Sequence, residues 1–228
     1  MARMARLELV GEIHHVALRG RQTVFFDEAD CVMLLHALSE EAREREVSLL
    51  SWSLLPDSVH LLVRPREKGA LALLMQGLGR RWVPQYNQRH RLTGSPWTGR
   101  YYSCPIDSSW ELRAMRFVDA LACFQGICER PWDSRWSSCS ARVMGTPGAI
   151  DVETPRSWWD LGNTPFDRQA RYQDFLMKAE SGRWLDELRC ATRLGRPFGT
   201  KEWMDSSGVP RDRVPTGRKP GRPRRPRR

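Results

Sequence analysis

The segment Val47-Ser-Leu-Leu-Ser-Trp-Ser-Leu-Leu-Pro-Asp-Ser-Val-His-Leu-Leu-Val63 decides the fold. It contains two short apolar runs, 47–55 and 59–63, which are separated only by Pro56-Asp57-Ser58. Apolar runs of this length that are bounded by turn residues are typical of β-strands. Proline fixes its own φ and an aspartate side chain can bond to nearby backbone, so these residues favour a tight turn. The segment therefore predicts a β-hairpin.

A helix is predicted on each side of this hairpin. Residues 27–45 carry apolar side chains at helical spacing, and Asp27 or Asp30 can cap the start of that helix. Residues 69–91 repeat the apolar spacing. Pro84 predicts a break or a kink in this second helix, because proline has no backbone N–H to donate.

Farther outward, the pattern predicts strands over residues 8–19 and 97–106, and a third helix over residues 108–128. The order along the chain is therefore strand, helix, strand, strand, helix, strand, helix. This is the split βαβ pattern of the ferredoxin-like α+β fold, with one antiparallel sheet and helices on one face. We predict that fold for the core.

The rest of the chain predicts two appendages. Residues 129–164 are rich in Trp, Ser, Pro and Gly and show little periodicity, whereas 165–181 and 184–194 have the pattern of two short helices. We therefore divide the chain into a core over 1–145, a small irregular and helical extension over 146–210, and a basic tail over 211–228.

Most of the net charge lies in that tail. The 228 residues include 37 Lys or Arg and 27 Asp or Glu, which gives a net charge of +10. Residues 211–228 alone hold nine Lys or Arg and one Asp, a net charge of +8. Such a tail is expected to be disordered through self-repulsion and to contact a polyanion, nucleic acid first. A solubilising end without a partner is the alternative.

The composition also limits the class of protein. With 40% hydrophobic residues the chain can bury a core, so a wholly disordered protein is excluded. No run of about 18 apolar residues is present, and the first residues lack the apolar centre of a signal peptide. We therefore expect a cytoplasmic, nucleoid-associated protein that does not bind a membrane.

Several short motifs, taken in order, resemble the REP-associated tyrosine transposases, bacterial members of the HUH superfamily of single-strand DNA transposases. Each motif is short, but the set spans nearly the whole chain in the order of the family. The motifs are GEIHHVALRG at 11–20, LPDSVHLL at 55–62, YNQRH at 86–90, WTGRY at 97–101, ERPWDSRWSS at 129–138, LGRPFG at 194–199 and GRKPGRP at 217–223.

The resemblance implies metal-assisted transesterification, and the same alignment shows which groups are missing. In the family, two histidines on one strand and a polar helix residue hold a divalent cation, and a tyrosine attacks the phosphate. The histidine positions here are Ser58 and His60. Phe117 occupies the tyrosine position and Leu121 the position of the polar ligand. Because phenylalanine has no attacking oxygen, the resemblance predicts no catalysis, no required cofactor and only weak residual Mg²⁺ or Mn²⁺ binding at His60.

Other residues could replace the missing groups. Tyr86, Tyr101 and Tyr102 are alternative nucleophiles for a working transposase. His15 lies on the strand expected beside that of His60 and is an alternative ligand, although packing or hydrogen bonding within the sheet is the commoner role of such a histidine.

DNA binding does not require the missing groups, because arginine can clamp phosphates and stack on unpaired bases. The candidate DNA contacts in the core are Arg19, Arg21, Arg80, Arg81 and Arg100. The candidates in the tail, which partly matches a minor-groove AT-hook, are Arg218, Lys219, Arg222, Arg224 and Arg225.

The sequence thus favours a DNA-binding, transposase-like protein that is catalytically inactive or domesticated. Its expected partner is hairpin or single-stranded DNA, bound by a monomer or a homodimer. Two alternatives remain: an active transposase with a displaced tyrosine, and an interaction or regulatory protein whose core does not bind DNA.

Overall fold

The computed structural model describes residues 6–178 and 180–214. They contain one four-stranded antiparallel sheet in the order β2-β3-β1-β4, which confirms the predicted ferredoxin-like α+β fold. The strands are β1 (Ile13–Arg19), β2 (Val47–Leu55), β3 (Ser58–Pro65) and β4 (Tyr102–Ile106). The helices in the described residues are α1 (Glu28–Glu44), α2 (Ala70–His90), α3 (Glu111–Asp119), α4 (Leu121–Phe124), α5 (Cys139–Met144), α6 (Arg156–Trp159), α7 (Pro165–Met177), α8 (Gly182–Leu194) and α9 (Lys201–Ser206).

The hairpin of β2 and β3 forms as the sequence predicts. Leu55 pairs with Ser58, so Pro56 and Asp57 make a two-residue turn. Side chains alternate along a strand. Ser58 and His60 therefore project from the same face of β3.

Helices α1 and α2 pack on one face of the sheet. Asp27 caps α1, since its side chain accepts a hydrogen bond of 3.1 Å from the backbone N–H of Asp30. Helix α2 continues through Pro84 without the predicted break. Trp82 and Tyr86, on either side of the proline, are both buried and stack with their rings 4.6 Å apart. Tertiary packing on both sides of Pro84 thus offsets the missing hydrogen bond.

The expectation that the helices lie on one face holds only for α1 and α2. Helices α3 and α8 cover the opposite face, where Phe117 and Leu188 belong to one apolar cluster with Ile13 and Leu62. The reason is that the central strands are apolar on both faces, so each face requires a covering layer. The third helix predicted over 108–128 is also divided, because α3 ends at Asp119 and α4 begins only at Leu121.

The C-terminal extension is docked onto the core. Cys139, Trp158 and Tyr172 pack together and join α5, α6 and α7, and α8 packs against β4. Two of these short helices, α5 and α6, lie in a segment for which the sequence predicted irregular structure. Among the residues that the structure describes, no helix combines the length and the apolar character that crossing a bilayer requires.

Candidate functional site

Side chains from three elements meet on the face of the sheet that α3 and α8 cover. The imidazole ring of His15 stacks on that of His60 with centroids 5.3 Å apart, and it meets the ring of Phe117 edge-on at 5.1 Å. Leu121 is buried in the same apolar cluster as Phe117, and Ser58 lies two residues before His60 on β3. The four positions that the family resemblance selected therefore lie together.

His15 is fixed by hydrogen bonds at both ring nitrogens. The hydroxyl of Thr192 donates to the carbonyl of Leu188 at 2.9 Å, and so it accepts from Nδ1–H of His15 at 2.8 Å. With its proton on Nδ1, His15 accepts at Nε2 from Nδ1–H of His60 at 3.1 Å. His15 therefore has the hydrogen-bonded role, and Nε2 of His60 has no hydrogen bond within the described residues.

Both histidines are held in their neutral form. Burial lowers the pKa of His15 well below its usual value, and the positive charges of His60 and Arg189 lower it further. Burial also lowers the pKa of His60 to about 4; Asp57 opposes this shift and Arg189 adds to it. Near neutral pH the pair therefore carries no charge, and any positive charge at this place comes from arginine.

A cleft of about 310 Å³ opens beside His60. It is lined by three arginines from two elements, Arg19 at the end of β1 and Arg189 and Arg193 on α8. Asp57 is the only acidic residue in that lining, and it accepts a hydrogen bond of 3.0 Å from the Ser58 hydroxyl. The cleft thus has more cationic than anionic side chains, as a site for an anionic ligand would.

The donor set does not fit the divalent cation that the family resemblance implies. The hydroxyl of Ser58 is engaged by Asp57, both nitrogens of His15 are occupied, and Leu121 offers no donor. Within residues 6–178 and 180–214, no group of three or more His, Cys, Asp or Glu side chains is arranged to hold a metal. Of the family's positions, only His60 would be left as a ligand, and a single imidazole is a weak divalent site.

The three alternative tyrosines lie in different surroundings. Tyr86 is buried on the α1–α2 face, and Tyr101 packs against the same cluster with the guanidinium of Arg6 3.7 Å above its ring. Tyr102 is 38% exposed and lines the cleft beside His60. Of the three, Tyr102 is therefore the one placed at the candidate site.

The arginines predicted to contact DNA fall into two groups. Arg19 lines the cleft, and Arg100 is exposed at a neighbouring groove that also borders Tyr102. Arg21 donates to the carbonyl of Trp97 at 3.3 Å, on the loop that leads to that groove.

The second group lies away from the cleft or outside the described chain. Arg80 is exposed on α2. Arg81 donates to Glu40, Glu41 and Glu44 of α1, so its charge is already compensated within the protein. The five tail candidates, Arg218, Lys219, Arg222, Arg224 and Arg225, lie outside the described residues.

Sequence reasoning missed the residues that α8 and α4 bring to the cleft. Arg189 and Arg193 are four residues apart, a spacing that places both on one side of a helix. Gln125, directly after α4, also lines the cleft. The helical spacing within 184–194 was a visible signal, but only the tertiary structure shows that this face borders the cleft.

Comparisons with known proteins agree with this architecture. Residues 11–119 match the family model described as "Transposase IS200 like". A structure of a REP-associated tyrosine transposase bound to a REP hairpin superposes with a TM-score of 0.54 and 16% identity, covering 68% of this chain and 96% of that one. A candidate transposase from Deinococcus radiodurans R1 gives a TM-score of 0.35 and 22% identity over 52% of this chain and 96% of that one. No curated protein matches the chain in sequence.

Proposed function

Because this chain belongs to the IS200-like transposase family, we propose that it binds DNA and no longer cleaves it. Its ligand in this proposal is hairpin or single-stranded DNA, bound without a required metal ion, and the protein resides on nucleoid DNA. One observation carries the proposal: His15 lines a cleft with an excess of arginine, and it packs against Phe117, a buried phenylalanine at the position that the resemblance assigns to the nucleophile.

The loss of chemistry follows from the atoms at the site. The family reaction needs an oxygen that attacks phosphorus, and Phe117 has none. Its ring is 1% exposed and packs edge-on against His15, so it fills the position as an apolar core residue. The donors beside it do not form a metal site, and metal activation of a phosphate would need one.

The retained binding follows from the charges. Arg19, Arg189 and Arg193 line the cleft, and Arg100 lies at the adjoining groove. A DNA strand that passes from one opening to the next would therefore have arginine beside its phosphates at both. The structural neighbour described above holds a REP hairpin on the same fold, which supports nucleic acid of that class as the partner.

The binding half of the proposal is tested with fluorescent oligonucleotides. A hairpin with a single-stranded extension and a blunt duplex of equal composition would be titrated with the full chain, in Mg²⁺ and in EDTA. We expect the extended hairpin to bind more tightly, with an affinity that falls as salt rises and does not change with EDTA. Failure to bind either oligonucleotide would support an interaction or regulatory protein instead.

The catalytic half is tested by looking for a covalent product. Single-stranded DNA incubated with the protein and Mg²⁺ or Mn²⁺ should show neither cleavage nor an adduct that survives denaturing electrophoresis. An adduct would favour an active transposase with a displaced nucleophile. Its loss in Tyr102→Phe, with Tyr86→Phe as the control, would then identify the tyrosine that borders the cleft.

A further inference from the structure

Two arginines of α8 line the cleft beside the residues at which the family resemblance implies a metal ion. The guanidinium of Arg189 lies 5.8 Å from the centroid of the Phe117 ring, which occupies the nucleophile position. Arg189 and Arg193 both line the cleft together with Ser58 and His60, the two strand positions of the lost metal site. Positive charge therefore remains at the site, although the metal ligands are lost.

These two charges are weakly compensated within the protein. Arg189 pairs with Asp186 at 3.3 Å, but that carboxylate is 78% exposed, and a pair in such surroundings is worth at most about 1 kcal/mol. Asp57 is the single acid in a cleft lining that holds three arginines. Arg81 differs sharply, because three glutamates of α1 surround its guanidinium. An arginine that is compensated in this way has no need of an external anion, whereas those of the cleft do.

We propose that Arg189 and Arg193 clamp a DNA phosphate beside His60 and thereby take over the electrostatic role of the divalent cation. This inference rests on the proposed function, since it names how the same cleft holds its ligand. Two guanidinium groups one helical turn apart can donate several hydrogen bonds to one or two phosphates. Each guanidinium is planar, and the spacing of its N–H groups matches that of two phosphate oxygens. The site then binds the backbone without any metal.

The surroundings of the clamp favour an unpaired strand over a duplex. A second groove of about 280 Å³ shares Tyr102 and Arg193 with the cleft and reaches Arg100. The ring of Tyr102 is partly exposed between the two openings. An exposed aromatic ring can stack on a base only where that base is unstacked, as in single-stranded extensions and loops. The strand would run from the clamp across Tyr102 to Arg100.

The test compares two charge changes on the same helix. Arg189→Gln with Arg193→Gln removes the clamp, and each single variant is also made, for which Arg183→Gln is the matched control. Like Arg189, Arg183 has a surface ion pair on α8, with Glu187 at 2.8 Å, but it does not line the cleft. The probe is a hairpin DNA with a single-stranded extension, titrated in EDTA and in Mg²⁺ over a range of salt concentrations.

We expect the double variant to bind roughly 10- to 30-fold more weakly at 0.1 M salt, and the slope of log K against log salt to decrease by about 1.4, the value for two lost phosphate contacts on a single strand. The Arg183→Gln protein should match the wild type, and EDTA should change neither. Circular dichroism would verify the fold. If the double variant were unfolded, the single variants should each lower the slope by about 0.7.

The outcomes separate this inference from the function on which it rests. A wild-type protein that does not bind the probe would overturn the proposed DNA binding itself. A wild-type protein that binds, while the folded double variant keeps the same affinity and salt slope, would overturn only the arginine clamp. Binding that is lost in EDTA and restored by Mg²⁺ would also overturn the clamp, because a metal would then supply the charge.

Discussion

Two polar clusters lie on the same face of the sheet, and they differ in how fully their charged side chains are paired within the protein. In the Asp119 network, at the end of α3, the carboxylate accepts hydrogen bonds from Ser51, Ser138, Arg142 and Tyr172. Asp119 itself is fully buried. In the cleft around His60, the imidazoles are neutral and the arginines face an opening. The two clusters are close, because Phe117, two residues before Asp119 on α3, packs against His15.

The difference distinguishes a structural cluster from a candidate binding site. Every oxygen of Asp119 has partners from inside the protein, and those partners join β2, α5 and α7 to α3. A buried charge with a full set of partners stabilises one arrangement of the elements and offers nothing to a ligand. The lining of the cleft has three arginines and a single acid, Asp57, so a ligand can supply further negative charge.

The largest expected effect is on stability, at the Asp119 network. Asp119→Ala leaves the guanidinium of Arg142 buried without its carboxylate, and we expect a loss of about 3–5 kcal/mol in the free energy of unfolding. Urea denaturation followed by circular dichroism measures it. Asp133→Ala is the control, because it breaks an exposed pair with Arg130 and should cost less than about 1 kcal/mol. Equal costs for the two variants would contradict the structural role of the network.

The next effect concerns the tail, which we predict to bind DNA separately from the cleft. Residues 215–228 carry seven Lys or Arg and no acid. If they neutralise four phosphates, their deletion should decrease the slope of log K against log salt by about 3–4. The cleft is intact in this truncated chain, so preference for an extended hairpin over a duplex should persist. An unchanged slope would mean that the tail is only a solubilising end.

Acid should weaken the fold through the buried histidines of β1. His14 donates to the carbonyl of Glu12 and accepts from the backbone N–H of Leu9, and burial lowers its pKa to about 4. Its folded pKa is below the unfolded value, so its contribution is complete above about pH 6.5 and is lost as the pH falls toward 4. By pH 5 the loss should reach about 2 kcal/mol.

Urea midpoints at pH 7 and pH 5 measure that loss. The drop between the two pH values should be smaller in His14→Gln than in the wild type by about 2 kcal/mol. It should be unchanged in His36→Gln, because the His36 side chain is 73% exposed on α1. The same drop in all three proteins would show that His14 does not cause the acid sensitivity.

The smallest expected effect is the recovery of DNA-cleaving activity. Phe117→Tyr alone should produce no adduct, because Ser58 and Leu121 still leave the metal without ligands. The triple variant with Ser58→His and Leu121→Asn restores the family's groups at positions that the structure brings together. We expect only trace cleavage of single-stranded DNA in Mn²⁺, measured by denaturing electrophoresis. Adduct formation by the single variant would mean that His60, without the other two ligands, binds the metal ion well enough for the reaction.

The local patterns of the sequence predicted most of the fold. The turn at Pro56-Asp57 and the strands predicted from the apolar runs on either side of it were confirmed, because such signals depend on neighbouring residues alone. The break at Pro84 was wrong, since the packing of Trp82 and Tyr86 outweighs the local penalty. The placement of all helices on one face was also wrong, because periodicity shows that a helix has an apolar face but not which surface covers it.

The sequence by itself determined which groups are available: one histidine, a serine, a phenylalanine and a leucine at the four family positions, and a surplus of arginine. Only the tertiary structure decided what each of them contacts. In that structure both ring nitrogens of His15 are hydrogen-bonded, and the charge of Arg81 is compensated by three glutamates. Arg189 contacts Phe117, which lies 72 positions earlier in the chain. The physical reason is that the charge a side chain presents to a ligand depends on its neighbours in space. Those neighbours are set by how helices pack on the sheet, which no local pattern records.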